Sequence, residues 1–313
     1  MRKAVIDVGS NSLILVVEEF NGQQWQRVVE RTAVTSLGEG TKETGLLGER
    51  GVTASLAALK SMFQEAADLG VESIQAAATM AVRIAANQAD FLAKAEAQQT
   101  PVFVLSGENE AQLGFDSVAS DPTFSCNERI TIIDPGGQST EIATAVRSAT
   151  GWVVQYRKSY PVGTLGLRGT LLPGESQNSL AVLQASAYLD DLIGMCYLPG
   201  KAGIAIVLGA TGTNLVSIRE KMTSWEPEKV HGEYLDFEEV SKAVGWMMPM
   251  TDAERGAIVG MEPGREKTLH IGALIVERFL NAIGSPGCVV SVRGWRHALL
   301  ENGLNGNIAG PLN

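Results

Sequence analysis

The sequence predicts a duplicated α/β protein, two related domains around a central cleft, and three observations carry that prediction. The first is Ile130 to Ala143, ITIIDPGGQSTEIA, where a largely β-branched run reaches an aspartate, turns through a proline and two glycines, and returns as alternating polar and apolar side chains. The second is that Ala4 to Val17, AVIDVGSNSLILVV, repeats this strand, turn and strand. Asp7, Gly9, Ser10, Asn11 and Ser12 align with Asp134, Gly136, Gly137, Gln138 and Ser139, so both copies run from an aspartate through a glycine and an amide side chain to a serine. The third is Ile204 to Ile218, IAIVLGATGTNLVSI, a buried strand followed by a glycine turn and a helix start. A repeat this long implies two structurally related domains, each bringing a hairpin to a shared cleft.

The elements follow in order. After the first hairpin, Gln24 to Leu37 alternates as a third strand, and Gly38, Gly40, Gly45 and Gly48 loosen the connection behind it. Val52 to Leu69 has helical spacing and stops at Gly70, a residue suited to a helix C-terminus. Ser73 to Ala78 is a short buried strand, Ala78 to Gln99 is helical with a break near Asn87, Val102 to Leu105 is a strand, and a helix opens at Ser106 and runs to Ala119. Asp121 to Asn127 is polar, holds a proline and marks the domain junction. Past the second hairpin come a strand over Trp152 to Tyr160, a turn and short helix over Gly163 to Leu172, and a helix over Ser176 to Leu198. Tyr234 to Met248 and Asp252 to Ile258 read as surface helices, and Glu266 to Ile283 as an amphipathic one. Cys288 to Ser291 is a last strand and Gly294 to Asn302 a last helix. The expected domains are 1–120 and 121–293, with the helix at 294–303 packing back on the first and 304–313 a mobile tail.

The turns suit phosphate. Glycines let the backbone approach a ligand and aim successive N–H groups at it, and Ser139 and Thr140 add hydroxyls. Taken alone, each is equally an ordinary hairpin with a glycine turn. Gly209, Gly212 and Thr213 offer a third contact, against the alternative of a tight strand-to-helix turn without a ligand. Arg83 stands on a helix start that favours anions, or is a surface arginine paired with Asp90 or a nearby glutamate. Glu110 lies in the first turn of a helix, where acids suit the helix dipole; it also sits where a carboxylate could deprotonate a water attacking a terminal phosphate.

Composition sets bounds. A length of 313 residues is about two domains' worth. Hydrophobic residues at 45% and charged residues at 19% indicate a globular chain, and a net charge of −10 argues against nucleic acid and against a long basic track for a polyanion. Cys126, Cys196 and Cys288 are scattered and odd in number, as are His231, His270 and His297, so neither a disulfide framework nor a Cys/His metal knuckle is expected. Oxygen ligands for Mg²⁺ remain. No apolar run has membrane-spanning length and Asp7 interrupts the first one, so no membrane association and a cytoplasmic location are expected. A homodimer is a further expectation, because a two-domain core of this size has exposed apolar helices to cover.

Six stretches together resemble a known family. AVIDVGSNS, ATMAVRIAAN, VLSGENEA, IIDPGGQSTEI, LGATGT and the C-terminal ERGAIVGMEPGR with GALIVE resemble, in order, the motifs of the exopolyphosphatase and guanosine pentaphosphate phosphohydrolase family, within the actin-like ATPase superfamily. The resemblance implies duplicated actin-like (ribonuclease H-like) domains and Mg²⁺-assisted hydrolysis of a terminal phosphate from inorganic polyphosphate or guanosine pentaphosphate. It implies Glu110 as catalytic base and Arg83 as a phosphate ligand, with Asp7, Asp134 and Glu141 on the metal side. Ser10, Asn11, Ser12, Gly136, Gly137, Gln138, Ser139, Gly209, Gly212 and Thr213 would hold phosphates.

Three residues depart from the family pattern. Gln138 replaces a third glycine, Pro135 replaces an isoleucine and removes an N–H, and Asn109 interrupts an acidic run. Long members of the family carry extra helical domains, so this chain is expected to prefer short polyphosphates or a nucleotide. The competing readings are an actin-fold ATP-dependent kinase, and a catalytically weak phosphate or alarmone sensor.

Overall fold

The structure is a computed structural model, and it describes residues 1–194 and 202–303. The expected tail at 304–313 and the end of the expected helix to Leu198 lie outside the described residues. The chain divides into two compact units, one built from residues 1–117 with the segment beginning at Trp295, the other from Val118–Gly294.

The first unit contains β1 (Arg2–Val8), β2 (Ser12–Phe20), β3 (Trp25–Val34), α1 (Thr41–Thr44), α2 (Glu49–Asp68), β4 (Ser73–Ala78), α3 (Met80–Ile84), α4 (Gln88–Ala97), β5 (Val102–Val104) and α5 (Gly107–Ala119). Its sheet runs β3-β2-β1-β4-β5, with β1 to β3 an antiparallel meander and β1, β4 and β5 parallel. Successive side chains of β1 point to opposite faces. Ala4, Ile6 and Val8 join a core with Leu59 and Met62 of α2 and Phe91 of α4. Val5 joins Leu113 of α5 and Trp295, Ala298 and Leu299 of the C-terminal helix Trp295–Asn302. Burial on both faces is why β1 reads as an almost unbroken apolar run.

The second unit contains β6 (Arg129–Pro135), β7 (Thr140–Ser148), β8 (Gly151–Tyr160), α6 (Thr164–Gly169), α7 (Ser179–Ile193), β9 (Ile204–Val207), α8 (Gly209–Arg219), β10 (Tyr234–Asp236), α9 (Phe237–Met247), α10 (Asp252–Gly256), α11 (Leu269–Ile283) and β11 (Gly287–Val290). Its sheet runs β10-β11-β9-β6-β7-β8. From the other end, β8-β7-β6-β9-β11 repeats the order of the first sheet, with β10 added antiparallel at the edge. The irregularities repeat too. The register shifts between Val17 and Glu18 in one sheet and between Thr144 and Ala145 in the other, ten residues after Asp7 and ten after Asp134. A bulge at the same offset is a shared structural feature rather than a local defect.

Two expectations are corrected. Tyr234 to Asp236 is a strand paired with Gly287 to Val289, not the start of a helix. The helix begins at Phe237, where Asp236 and Glu239 form a reciprocal capping box. The last long helix, α11, is amphipathic but begins at Leu269 rather than Glu266: Leu269 to Val276 are buried without interruption, as are Phe279, Leu280 and Ile283, while Asn281 is exposed and Glu277 and Arg278 are half-buried. It packs against α6, α7, α8, α9 and β6, and Arg278 on its polar side pairs with Asp190. Among the described residues no helix is long and apolar enough to cross a membrane.

Arg255 of α10 organises the chain leading into α11. Fully buried, it donates to the backbone carbonyls of Met247 (2.9 Å), Glu175 (2.8 Å), Met250 and Glu266, and it pairs with Asp252. The same Asp252 carboxylate receives Arg168 at 2.7 and 3.1 Å. His270 is also fully buried, and neither ring nitrogen has a hydrogen-bond partner. Burial first, then the positive charges of Arg255 and Arg168, push its pKa down from 6.5 to about 3.

Replacing Arg255 by Met removes its bonds to the carbonyls of Met250, Glu175 and Glu266 and leaves Asp252 with Arg168 as its cation, and is expected to cost about 1–3 kcal/mol, read as a lowered urea midpoint. For His270, the unfolded chain binds a proton below pH 6.5 while the folded chain refuses it until about pH 3. Stability should therefore fall as pH drops through that window, by up to about 1.4 kcal/mol per pH unit, and the His270→Leu protein should lose that share of the slope.

Candidate active site

The first unit gathers its chemical groups at one edge of its sheet. Val8 of β1 is level with Ala78 of β4, and Ala78 with Val104 of β5. The Thr79 N–H donates to the Val8 carbonyl at 3.4 Å and the Leu105 N–H to that of Ala78 at 2.8 Å. The hairpin turn after β1, α3 with Arg83 and α5 with Glu110 all leave from the carboxyl ends of these adjacent parallel strands. That edge is where open α/β sheets bind ligands.

In the first turn, the Gly9 N–H donates to the Ser12 carbonyl at 3.1 Å. The Ser10 carbonyl accepts from Gly38 at 2.7 Å, and the Asn11 carbonyl accepts from Thr35 and Ser36 at 3.1 and 2.9 Å. A trans peptide aims its carbonyl and the next N–H in opposite directions, so the Asn11 and Ser12 N–H groups point away from the 35–38 loop. Ser10, Asn11 and Ser12 are buried, and Asn11 Nδ2 has no hydrogen-bond partner. Asp7 precedes the turn, opposite Ile14.

The second turn has the same closure, Gly136 N–H to the Ser139 carbonyl at 2.8 Å. Here α6 ties the carbonyls back: Thr164 donates to Gly136 at 3.0 Å, and Leu165 and Gly166 to Gly137 at 2.8 and 3.2 Å. The N–H groups of Gly137 and Gln138 are thereby aimed away from α6. Gly163 makes this possible, because a Cβ there would lie 2.5 Å from Gln138 N. Reading the sequence did not assign Gly163 to the site. Its only signal was a glycine before a short helix, which announces a close approach without saying to what. Gln138 and Ser139 are buried within the turn, and Pro135 ends β6 opposite Thr140.

Glu110, 7% exposed, is one partner of Arg83. Arg83 Nη1 lies 3.3 Å from Glu110 Oε2 and donates to the Leu105 carbonyl at 2.6 Å, while Nη2 reaches Met80 Sδ at 3.3 Å. The arginine is thus turned toward the start of α5. A fixed guanidinium beside a buried carboxylate can both neutralise a phosphate and orient a base.

In the second unit, Asp134 and Glu141 stand directly opposite on β6 and β7. Glu141 is buried and accepts from Ser159 Oγ at 2.6 Å. Asp134 lies against the start of α8: a Cβ at Gly209 would be 2.9 Å from its Oδ1, and Gly209 has φ +73°, a conformation that strains any side chain there. The helix N-terminus favours this negative charge. Gly212 faces Val207 and Val290, where its missing side chain lets α8 sit on the sheet. The Thr213 hydroxyl turns back to the carbonyls of Ala210 and Gly209 at 3.3 and 3.4 Å.

Comparison with known proteins bears on the family and the fold. The model of the Ppx/GppA phosphatase family matches residues 15–305. Exopolyphosphatase 1 of Mycobacterium tuberculosis strain H37Rv is 24% identical over 316 residues, covering 99% of this chain and 90% of the relative. The crystal structure of the Aquifex aeolicus member of the family is 27% identical with a TM-score of 0.79, covering 96% of both chains. An exopolyphosphatase from Cytophaga hutchinsonii, 20% identical, shares the fold with a TM-score of 0.85 over 98% of both chains. With its two-sheet, actin-like fold, the chain belongs to the Ppx/GppA phosphatase family.

Proposed function

We propose that this chain hydrolyses the terminal phosphoanhydride of a short inorganic polyphosphate or of guanosine pentaphosphate. The observation that carries the reading is Glu110, a buried carboxylate steadied by Arg83 at the carboxyl edge of a sheet whose neighbouring turn presents amides and hydroxyls. The relatives named exopolyphosphatase support the substrate class.

Glu110 accepts a proton from a water as its oxygen attacks the terminal phosphorus. The bridging P–O bond breaks, and its electron pair leaves with the shortened phosphate chain. Such a reaction needs an aligned nucleophile and neutralised oxygens more than a covalent intermediate. Arg83 meets the charge on the transferred group, and the N–H groups of Asn11 and Ser12, with the Asn11 amide, fix its oxygens. In the second unit Gly137, Gln138 and Ser139 offer the equivalent donors.

The carboxylates fit Mg²⁺. Among the described residues no three acidic, histidine or cysteine side chains gather as a ready-made metal site. Asp134 and Glu141 are a facing pair, and Mg²⁺ commonly takes one or two carboxylates with water and substrate phosphates completing its shell. When bound it supplies charge neutralisation at the phosphate oxygens. Asp7 occupies the place of Asp134 in the first copy, where the residue opposite is Ile14 rather than a glutamate.

Phosphate release from tripolyphosphate and guanosine pentaphosphate with Mg²⁺ tests the reading. Glu110→Gln keeps the hydrogen bond to Arg83 but cannot take a proton, so kcat should fall about 10²–10⁴-fold while the Kd for substrate stays unchanged. Full turnover by that variant would remove Glu110 from the mechanism, and no release by the parent protein from either substrate would remove the activity.

A further inference from the structure

The second unit places three polar side chains in one row. Asp134 of β6 is directly opposite Glu141 of β7, and Glu141 is directly opposite Ser159 of β8. Directly paired residues of neighbouring strands share a face of the sheet, so Asp134 and Ser159 flank the same glutamate. Ser159 Oγ donates to Glu141 Oε1 at 2.6 Å, a length typical of a hydroxyl bonded to a carboxylate, and Glu141 is 2% exposed.

The equivalent row of the first unit is Asp7, Ile14 and Thr32. Isoleucine offers no acceptor, and Thr32 is an exposed β-branched residue of the kind a strand favours. Ser159 is neither β-branched nor aromatic, in a strand that also holds Trp152, Val153, Val154, Tyr156 and Tyr160. What it adds is its hydroxyl. The backbone beside it is held, because the Thr140 hydroxyl donates to the Val162 carbonyl at 2.7 Å and Thr164, Leu165 and Gly166 fasten the second turn. The donor thus belongs to the same short segment, 159–166, that aims the amides of that turn.

We infer that Ser159 is a positioning residue for the metal side of the site: its hydroxyl fixes the Glu141 carboxylate in the orientation in which, with Asp134, it takes a divalent cation. The inference rests on the assignment of Asp134 and Glu141 to Mg²⁺ and deepens it. A glutamate side chain that is free to turn loses that freedom when a cation binds, and a donor already in place removes part of the cost. A carboxylate has about four lone-pair directions, so one hydroxyl and one cation do not compete for it. Outer partners of this kind change metal affinity about 10–100-fold.

Calorimetric titration of the substrate-free protein with Mg²⁺ tests the role. Ser159→Ala should weaken the Mg²⁺ Kd about tenfold. It should raise the Mg²⁺ concentration for half-maximal phosphate release from tripolyphosphate by a similar factor, with kcat at saturating Mg²⁺ unchanged. Ser159→Thr, which keeps the hydroxyl, should restore both. In the Glu141→Ala background the loss of the Ser159 hydroxyl should change nothing further, because it acts through that carboxylate. Mg²⁺ affinity lost on Glu141→Ala but kept on Ser159→Ala overturns the positioning role and leaves the metal assignment standing, as does a Ser159→Ala effect that persists without Glu141. Affinity unmoved by Glu141→Ala, or no Mg²⁺ binding by the parent protein, overturns both.

Discussion

A trans peptide points its carbonyl and the following N–H in opposite directions, and both aspartate hairpins exploit that constraint. In each, a later segment seizes the turn's carbonyls: the 35–38 loop in the first unit, the start of α6 in the second. The amides are then committed to the opposite side before any ligand arrives. Donors fixed in this way need no reorganisation when charge develops on a phosphate, which is what electrostatic catalysis requires. The segments that do the tying are unrelated in sequence and structure, an irregular loop in one case and a helix in the other. What the two units share is the outcome at the turn.

The repeat is faithful where geometry is at stake and divergent where chemistry is. Strand order, turn closure and the bulge ten residues beyond the aspartate all recur. The side chains at the active edge do not. Opposite the aspartate stands Ile14 in one copy and Glu141 in the other, and the sole Arg–Glu pair of the proposed mechanism belongs to the first unit. The first unit holds a buried carboxylate beside a guanidinium, and the second a facing carboxylate pair.

Local pattern made the hairpins, the strand Ser73–Ala78 and the break before α4 legible, because each is written in neighbouring residues: a β-branched run, a glycine pair, an asparagine at a helix boundary. Local pattern failed at Tyr234–Asp236, where three residues are too few to show a period and strand pairing with Gly287–Val289 decides the conformation. At the site, the residue types could be named from motifs, but the turning of Arg83 toward Glu110 depends on strands β4 and β5 lying side by side. Gly163 was missed for the same reason. Its constraint comes from Gln138, a neighbour in space only.

The net charge of −10 bears on how such a site can work on a polyanion. At physiological ionic strength charges are screened beyond about 8 Å, so the acidic surface repels an approaching phosphate chain only weakly and draws it in not at all. Capture then falls to groups that touch the ligand. Backbone amides and hydroxyls suit that task, since they recognise phosphate oxygens without raising the long-range field for other polyanions.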